Sequence, residues 1–73
     1  MTKLICINNS SRYGELTLNK IYFYDDDDFE HISGRYPDDI IDIENDNYSV
    51  EGYYVNRFKL YRPVSLSINI RVL

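Results

Sequence analysis

Apolar residues along the chain occur in short runs separated by turn-forming residues, and they show no helical repeat extending over ten residues. Short runs rich in β-branched and tyrosine residues, bounded by Asn, Asp, Gly and Pro, are typical of all-β sandwiches and barrels. The pattern predicts strands at residues 4–7, 21–24, 40–44, 48–54 and 58–61. A short turn of 3₁₀ helix is predicted at residues 55–57, before the last of these strands.

The core has to come from aliphatic and tyrosine side chains. The single cysteine, Cys6, and the single histidine, His31, provide neither a disulfide nor a structural zinc site. Because alternate side chains of a strand point to opposite faces, only one residue of each neighbouring pair is expected inside. The predicted core is Leu4 or Ile5, Cys6 or Ile7, Leu16, Tyr22, Tyr24, Ile41, Ile43, Tyr54, Phe58 and Leu60. Gly52 predicts a bulge or a point of close packing.

The C-terminal tail has the most regular pattern in the chain. Val64, Leu66, Ile68, Ile70 and Val72 alternate with polar residues, which predicts a strand with one apolar face. The chain is therefore expected to be a single domain with a barrel over residues 1–62 and a strand extension over 63–73. The extension either lies along the barrel as an edge strand or pairs with the same tail in a homodimer. We favour the homodimer, with Leu66, Ile68 and Ile70 in self-association.

Residues 25–39 are predicted to form a long loop between two strands, and the loop begins with four consecutive aspartates. Structureless loops longer than about 12 residues are uncommon in compact domains and are often functional. Carboxylates steer a basic partner, whereas desolvated aromatic side chains usually supply the binding energy. The predicted partner-binding residues are Asp26, Asp27, Asp28, Phe29, Glu30 and Tyr36.

The charge balance restricts the class of partner. The 73 residues carry 12 acidic and 8 basic side chains, for a formal net charge of −4. This balance argues against nucleic acid, because binding to the phosphate backbone relies on Lys and Arg. The longest apolar run is far too short to span a membrane, and no signal-peptide core follows Met1. With one free cysteine, the expected location is the cytoplasm.

No catalytic arrangement is visible in the sequence. His31 stands beside Glu30 in the acidic loop, where a solvated histidine is the ordinary interpretation. Paired carboxylates need environments that separate their pKa values, and a run of solvated aspartates does not provide them. The run also lacks the alternate ligand spacing and the glycine of an EF-hand. We therefore expect no enzymatic activity, no cofactor and no metal site.

Three segments together resemble small SH3-like barrel proteins encoded by bacteriophages. These are residues 16–22 (LTLNKIY), Asp46 in a turn, and residues 54–58 (YVNRF). The corresponding pattern of those proteins is LTxGKxYxV, then D, then YxxxRF, and its final RF matches Arg57 and Phe58. The resemblance covers residues 3–61 and implies an SH3-like barrel of five to six strands. It also implies that Phe58 is a core residue and that Arg57 contacts loop carbonyls. Asn19 replaces the usual glycine of the turn, and the 25–39 segment is longer than the pattern.

Three functions are compatible with these features. The first is a non-enzymatic protein-binding module, a phage factor that binds and modulates a host bacterial protein. The second is a nucleic-acid-binding barrel, in which exposed tyrosines would stack on bases. The third is a structural or assembly protein that uses the C-terminal strand to join subunits.

Overall fold

The computed structural model describes residues 1–62, which form a small all-β fold with one short helix. The expected all-β fold is confirmed, and its elements are β1 (Thr2–Cys6), β2 (Ile21–Tyr24), α1 (Phe29–Arg35), β3 (Ile40–Glu44), β4 (Val50–Tyr54), a 3₁₀ turn (Val55–Arg57) and β5 (Phe58–Leu60). The expectation of a strand at 63–73, with Leu66, Ile68 and Ile70 in self-association, lies outside the described residues. No helix among residues 1–62 has the length and apolar character needed to cross a membrane.

The strands form two antiparallel sheets. One sheet has the order β2-β1-β5, with Leu4 opposite both Tyr22 and Leu60. The other is the hairpin β3-β4, with Ile41 opposite Tyr53. β2 packs beside β3 at the seam between the sheets, although no ladder pairing joins the two strands. The 3₁₀ turn before β5 is present as the sequence predicted.

The core lies between the two sheets and is built mostly as expected. Its buried residues are Leu4, Cys6, Leu16, Tyr22, Tyr24, Phe29, Ile41, Ile43, Tyr53, Val55 and Phe58, with Leu60 partly buried at its edge. Alternation along β1 places Leu4 and Cys6 inside and leaves Ile5 and Ile7 outside. The Phe58 ring makes edge-to-face contacts with Tyr22 and Tyr53, at centroid distances of 5.9 and 6.4 Å. Such aromatic pairs add stabilisation beyond the area they bury.

The prediction of Tyr54 as a core residue is wrong, because Tyr53 occupies that place. Tyr53 is 1% exposed and Tyr54 is 49% exposed. The β3–β4 register continues without a bulge through Gly52, which is opposite Asp42, so Tyr53 faces the core together with Ile41. Of the two readings of Gly52, close packing is the one observed. A Cβ at this position would lie 2.7 Å from Cγ2 of Ile40.

The prediction of a long loop over residues 25–39 is also corrected, because seven of these residues form helix α1. Phe29 anchors the helix: it is 2% exposed and its ring lies edge-to-face against Tyr24 at 6.3 Å. A helix this short is marginal by itself and depends on tertiary packing for its stability. Phe29 therefore belongs to the core and is not the exposed partner-binding anchor expected from the sequence.

Arg57 has the structural contacts that the resemblance implied. Its Nη1 donates to the backbone oxygens of Asn8 and Ser10, at 3.2 and 2.8 Å. These bonds hold the loop after β1 against the start of β5. Asn19 adopts a positive φ of 67°, a conformation that Asn tolerates well, so the turn is kept without the usual glycine.

Candidate protein-binding groove

A partly buried carboxylate, Asp46, links the turn between β3 and β4 to the segment that leads into β2. Its side chain accepts hydrogen bonds from Thr17 Oγ1 at 2.6 Å, Lys20 Nζ at 2.6 Å and Tyr22 OH at 2.8 Å. Its backbone N–H donates to the Glu15 carbonyl at 2.8 Å. The hydrogen bonds from Lys20 and then Thr17 are the main reasons that the pKa of Asp46 lies below its usual value. Asp46 is thus fully engaged within the fold.

A groove of about 350 Å³ lies beside this carboxylate, along the seam between the two sheets. Its apolar wall comes from Met1, Ile21, Phe23 and Tyr48. Its acidic wall comes from Asp25, Asp42, Glu44 and Asp46. The volume is within the range of ligand-binding clefts, about 300–1,000 Å³. We refer to this feature as the seam groove.

Strand alternation explains why these side chains face outward. In β2, Tyr22 and Tyr24 enter the core, so Ile21 and Phe23 point to the other face. In β3, Ile41 and Ile43 enter the core, which leaves Asp42 and Glu44 exposed on the opposite face. The two outward faces meet at the seam, and this brings an apolar wall and an acidic wall together.

The acidic wall carries negative charge that the protein does not neutralise. Asp25, Asp42 and Glu44 make no ion pair and no side-chain hydrogen bond with any other residue from 1 to 62. The basic side chain in the groove lining, Lys20, already lies 2.6 Å from Asp46. The hydrogen bond from Lys20 to Asp46 is also the main cause of the raised pKa of Lys20. The seam groove therefore presents three uncompensated carboxylates to solvent.

Tyr48 lies at the edge of the seam groove in a backbone conformation that tyrosine rarely adopts. Its φ is +62° and its side chain is 87% exposed. The turn before it is closed by the Asn45 side chain, which accepts hydrogen bonds from the N–H groups of Asn47 and Ser49. Asn45, Asp46 and Asn47 are residue types that tolerate positive φ, but the left-handed residue is Tyr48. For a residue with a Cβ this conformation costs roughly 1–2 kcal/mol.

The outward face of the β3–β4 hairpin extends the same surface. Ile40, Val50 and Tyr54 are exposed there, in register with Asp42 and Glu44. Apolar side chains interspersed with carboxylates thus continue from the seam groove across the hairpin. This gives a partner more contact area than the groove alone.

The predicted partner-binding residues lie next to the seam groove, mostly outside it. Among residues 25–28, which we call the acidic run, only Asp25 lines the groove. Thr2 Oγ1 donates to the backbone oxygen of Asp26 at 2.7 Å and to Asp27 Oδ1 at 3.4 Å. Asp28 accepts a hydrogen bond from Tyr24 OH at 3.0 Å. The acidic run is therefore tied to β1 and β2 through these bonds.

Tyr24 itself reflects this acidic environment. Burial, and then the hydrogen bond to Asp28, raises the pKa of Tyr24 to about 12.

The remaining predicted partner-binding residues, Glu30 and Tyr36, lie on α1 and directly after it. Glu30 forms an exposed ion pair with Arg62, and Tyr36 is exposed with its ring edge-to-face against His31 at 6.3 Å. The structure thus separates Glu30 and Tyr36 from the seam groove.

The seam-groove residues Phe23, Asp42, Glu44 and Tyr48 were not identified as site residues from the sequence. A usable signal was present for two of them, since Asp42 and Glu44 alternate with Ile41 and Ile43. That alternation shows that the carboxylates are exposed. It does not show that they face Phe23, because β2 and β3 are separated in the chain by α1.

A second groove of about 530 Å³ lies beside β5, lined by Ile5, Lys59, Leu60 and Tyr61 together with Glu30 and Arg62. Its charges are mixed, and Glu30 is already paired with Arg62. It therefore selects no particular class of partner by charge. The seam groove has the more specific chemistry.

The carboxylates of the seam groove are not grouped as metal ligands. Among residues 1–62, no three His, Cys, Asp or Glu side chains are grouped so that they could hold a metal ion. Comparisons of the chain with protein-family models, with curated proteins and with solved structures find no match.

Proposed function

We propose that the protein is a non-enzymatic protein-binding module that receives a partner with a basic surface in the seam groove. The observation that carries the proposal is the pairing of an apolar wall with three uncompensated carboxylates. In such an interface the apolar and aromatic contacts supply most of the binding energy, and charges accelerate encounter and exclude wrong partners. Phe23 and Tyr48 are the aromatic contacts, and Asp25, Asp42 and Glu44 are the charges.

The acidic run has a supporting role in this proposal. It lies close to the seam groove through Asp25, and it adds to the negative field that a basic partner meets during approach. Neutralising Asp26, Asp27 and Asp28 is therefore expected to slow association and to weaken its salt dependence. Neutralising Asp42 and Glu44 is expected to accelerate dissociation as well, because those carboxylates contact the partner.

The charge of the seam groove favours this function over nucleic-acid binding. A nucleic acid would bring phosphates against three carboxylates, which is repulsive. A second copy docked groove to groove would bring like charges together for the same reason. The resemblance to phage-encoded SH3-like proteins supports a bacterial host protein as the partner, with the module acting as a modulator in the host cytoplasm.

The test is capture of proteins from a bacterial lysate by the immobilised chain and by two variants that each remove two charges. The variant Asp42→Asn/Glu44→Gln alters the seam groove, and Asp26→Asn/Asp27→Asn alters the acidic run. We expect one protein to be captured by the wild type and the acidic-run variant, and to be lost or strongly reduced with the groove variant. Equal melting temperatures serve as the control for folding.

Two results would contradict the proposal. One is capture that is the same for the groove variant and the wild type. The other is saturable, salt-dependent binding of a random oligonucleotide, which would favour the nucleic-acid interpretation. Light scattering on the same samples separates partner binding from self-assembly.

A further inference from the structure

Lys20 shows how the surface at this seam holds a cation. Its ammonium lies 2.6 Å from Asp46 Oδ1 and 5.6 Å from the centroid of the Tyr22 ring. A carboxylate on one side and an aromatic face on the other are the two groups that bind a side-chain cation together. The seam groove has a second set of carboxylates and aromatic rings that hold no cation from the described part of the chain. Asp42 and Glu44 are unpaired within residues 1–62, and Phe23 and Tyr48 are exposed.

Tyr48 is the aromatic side chain that the turn after β3 presents at this groove. Asn and Gly adopt positive φ more easily than Tyr, so either would suit this turn better. The Tyr48 side chain is 87% exposed and contributes nothing to the buried core. Strained backbone conformations cluster at binding sites, and the exposed Tyr48 ring is accessible to a ligand in the groove.

We infer that the seam groove binds an arginine side chain presented by an extended segment of the partner, held between the Tyr48 ring and the carboxylates of Asp42 and Glu44. This inference rests on the proposed function and specifies its partner. Arginine suits the arrangement better than lysine, because the planar guanidinium stacks on an aromatic ring while it donates two parallel hydrogen bonds to a carboxylate. The apolar wall of Ile21 and Phe23 accepts the neighbouring aliphatic side chain of the segment.

The experiment uses the full chain, labelled with ¹⁵N, and titrates it with a blocked pentapeptide of sequence Gly-Arg-Val-Arg-Gly. A matched peptide carries citrulline, the neutral isostere of arginine, and a third carries lysine. We expect saturable chemical-shift changes at the amides of Phe23, Asp42, Glu44 and Tyr48 with the arginine peptide. Binding should be weaker with lysine and weakest with citrulline.

Two tyrosine variants make the test specific. Tyr48→Asn should weaken binding of the arginine peptide by about two- to five-fold, the effect of losing one exposed cation–π contact. Because Asn tolerates positive φ, this variant should melt no lower than the wild type, so a loss of binding is not a loss of fold. Tyr13→Asn is the matched control, since Tyr13 is 82% exposed and does not line the seam groove.

The inference is overturned if citrulline and arginine peptides bind equally, or if Tyr48→Asn and Tyr13→Asn have the same affinity. It is also overturned if the shifts are confined to the acidic run. These failures differ from a failure of the proposed function. A captured lysate protein that is lost with Asp42→Asn/Glu44→Gln would leave the module function standing, while the arginine specificity would be wrong.

Discussion

The neighbouring tyrosines of β4 give a direct test of the packing, because replacing each with phenylalanine removes only a hydroxyl. The Tyr53 hydroxyl accepts a hydrogen bond from Asn45 Nδ2 at 3.0 Å and donates one to Glu15 Oε1 at 2.8 Å. The Tyr54 hydroxyl makes no side-chain hydrogen bond with any of the described residues, and Tyr54 is half exposed. We therefore expect Tyr53→Phe to destabilise the protein and Tyr54→Phe to leave its stability unchanged.

The magnitude follows from what Tyr53→Phe leaves unpaired. Asn45 is 6% exposed, and its side-chain oxygen Oδ1 already accepts hydrogen bonds from the N–H groups of Asn47 and Ser49. Without the Tyr53 hydroxyl, the Asn45 side-chain Nδ2 has no acceptor inside the fold. Leaving a buried polar group unsatisfied costs about 1–3 kcal/mol. At about 4–8 °C of melting temperature per kcal/mol in a domain of this size, the expected decrease is roughly 4–24 °C.

Thermal unfolding followed by circular dichroism, with urea unfolding at 25 °C as a second measurement, would determine both values. Tyr54→Phe should lie within about 0.5 kcal/mol of the wild type, the ordinary range of surface substitutions. If Tyr53→Phe melts with the wild type, or Tyr54→Phe is the less stable of the two, our assignment of the inward face of β4 is wrong.

Three further outcomes are expected. Phe58→Ala should lose about 3–5 kcal/mol, a large share of the roughly 3–9 kcal/mol that a domain of this size holds, and should melt far below the wild type, whereas the exposed Phe23→Ala should melt close to it. The ionised Asp46 carboxylate stabilises the fold fully at pH values above 3.8, the ordinary aspartate pKa, and this stabilisation is lost as pH falls through the lower pKa that Asp46 has in the folded protein. The melting temperature of Asp46→Asn should therefore decrease less than that of the wild type when the pH is lowered through this range. Arg57→Lys should lower the melting temperature by several degrees even though it keeps the charge, because an ammonium does not reproduce the two-carbonyl contact; an unchanged curve would contradict that role.

The sequence predicted the parts of the fold that depend on local pattern. The bounds of β2 and β3 agree with the predicted strands. Ile21–Tyr24 is strongly β-forming by composition, Ile40–Glu44 places acidic residues between isoleucines, and the strands are followed by Asp25 and Asn45. The contacts of Arg57 were also anticipated. The two strands depend on neighbours along the chain, and for that reason they are visible in the sequence. Arg57 contacts residues that are 47 and 49 positions away, and only the resemblance implied those contacts.

The remaining features depend on contacts between distant segments. The residues of β4 show no alternation of apolar and polar positions, and its two consecutive tyrosines suit either face, so only the pairing with Ile41 decides that Tyr53 is inside. Helix α1 is too short to show a helical repeat, and Phe29 anchors it through a ring on another element. The seam groove is formed by β2 and β3, which belong to different sheets and are separated in the chain by α1, so no single stretch of sequence contains it.

The pairing of β1 with β5 has a consequence for the order in which the protein folds. The β3–β4 hairpin joins residues within 40–54, so its loop is short and it can form early. The other sheet pairs Leu4 with Leu60 and must close almost the whole described chain, which costs more loop entropy and makes it the slower step. The seam groove lies between these two units. We therefore expect it to exist only after the last step, so that a partner bound there distinguishes completed chains from partly folded ones.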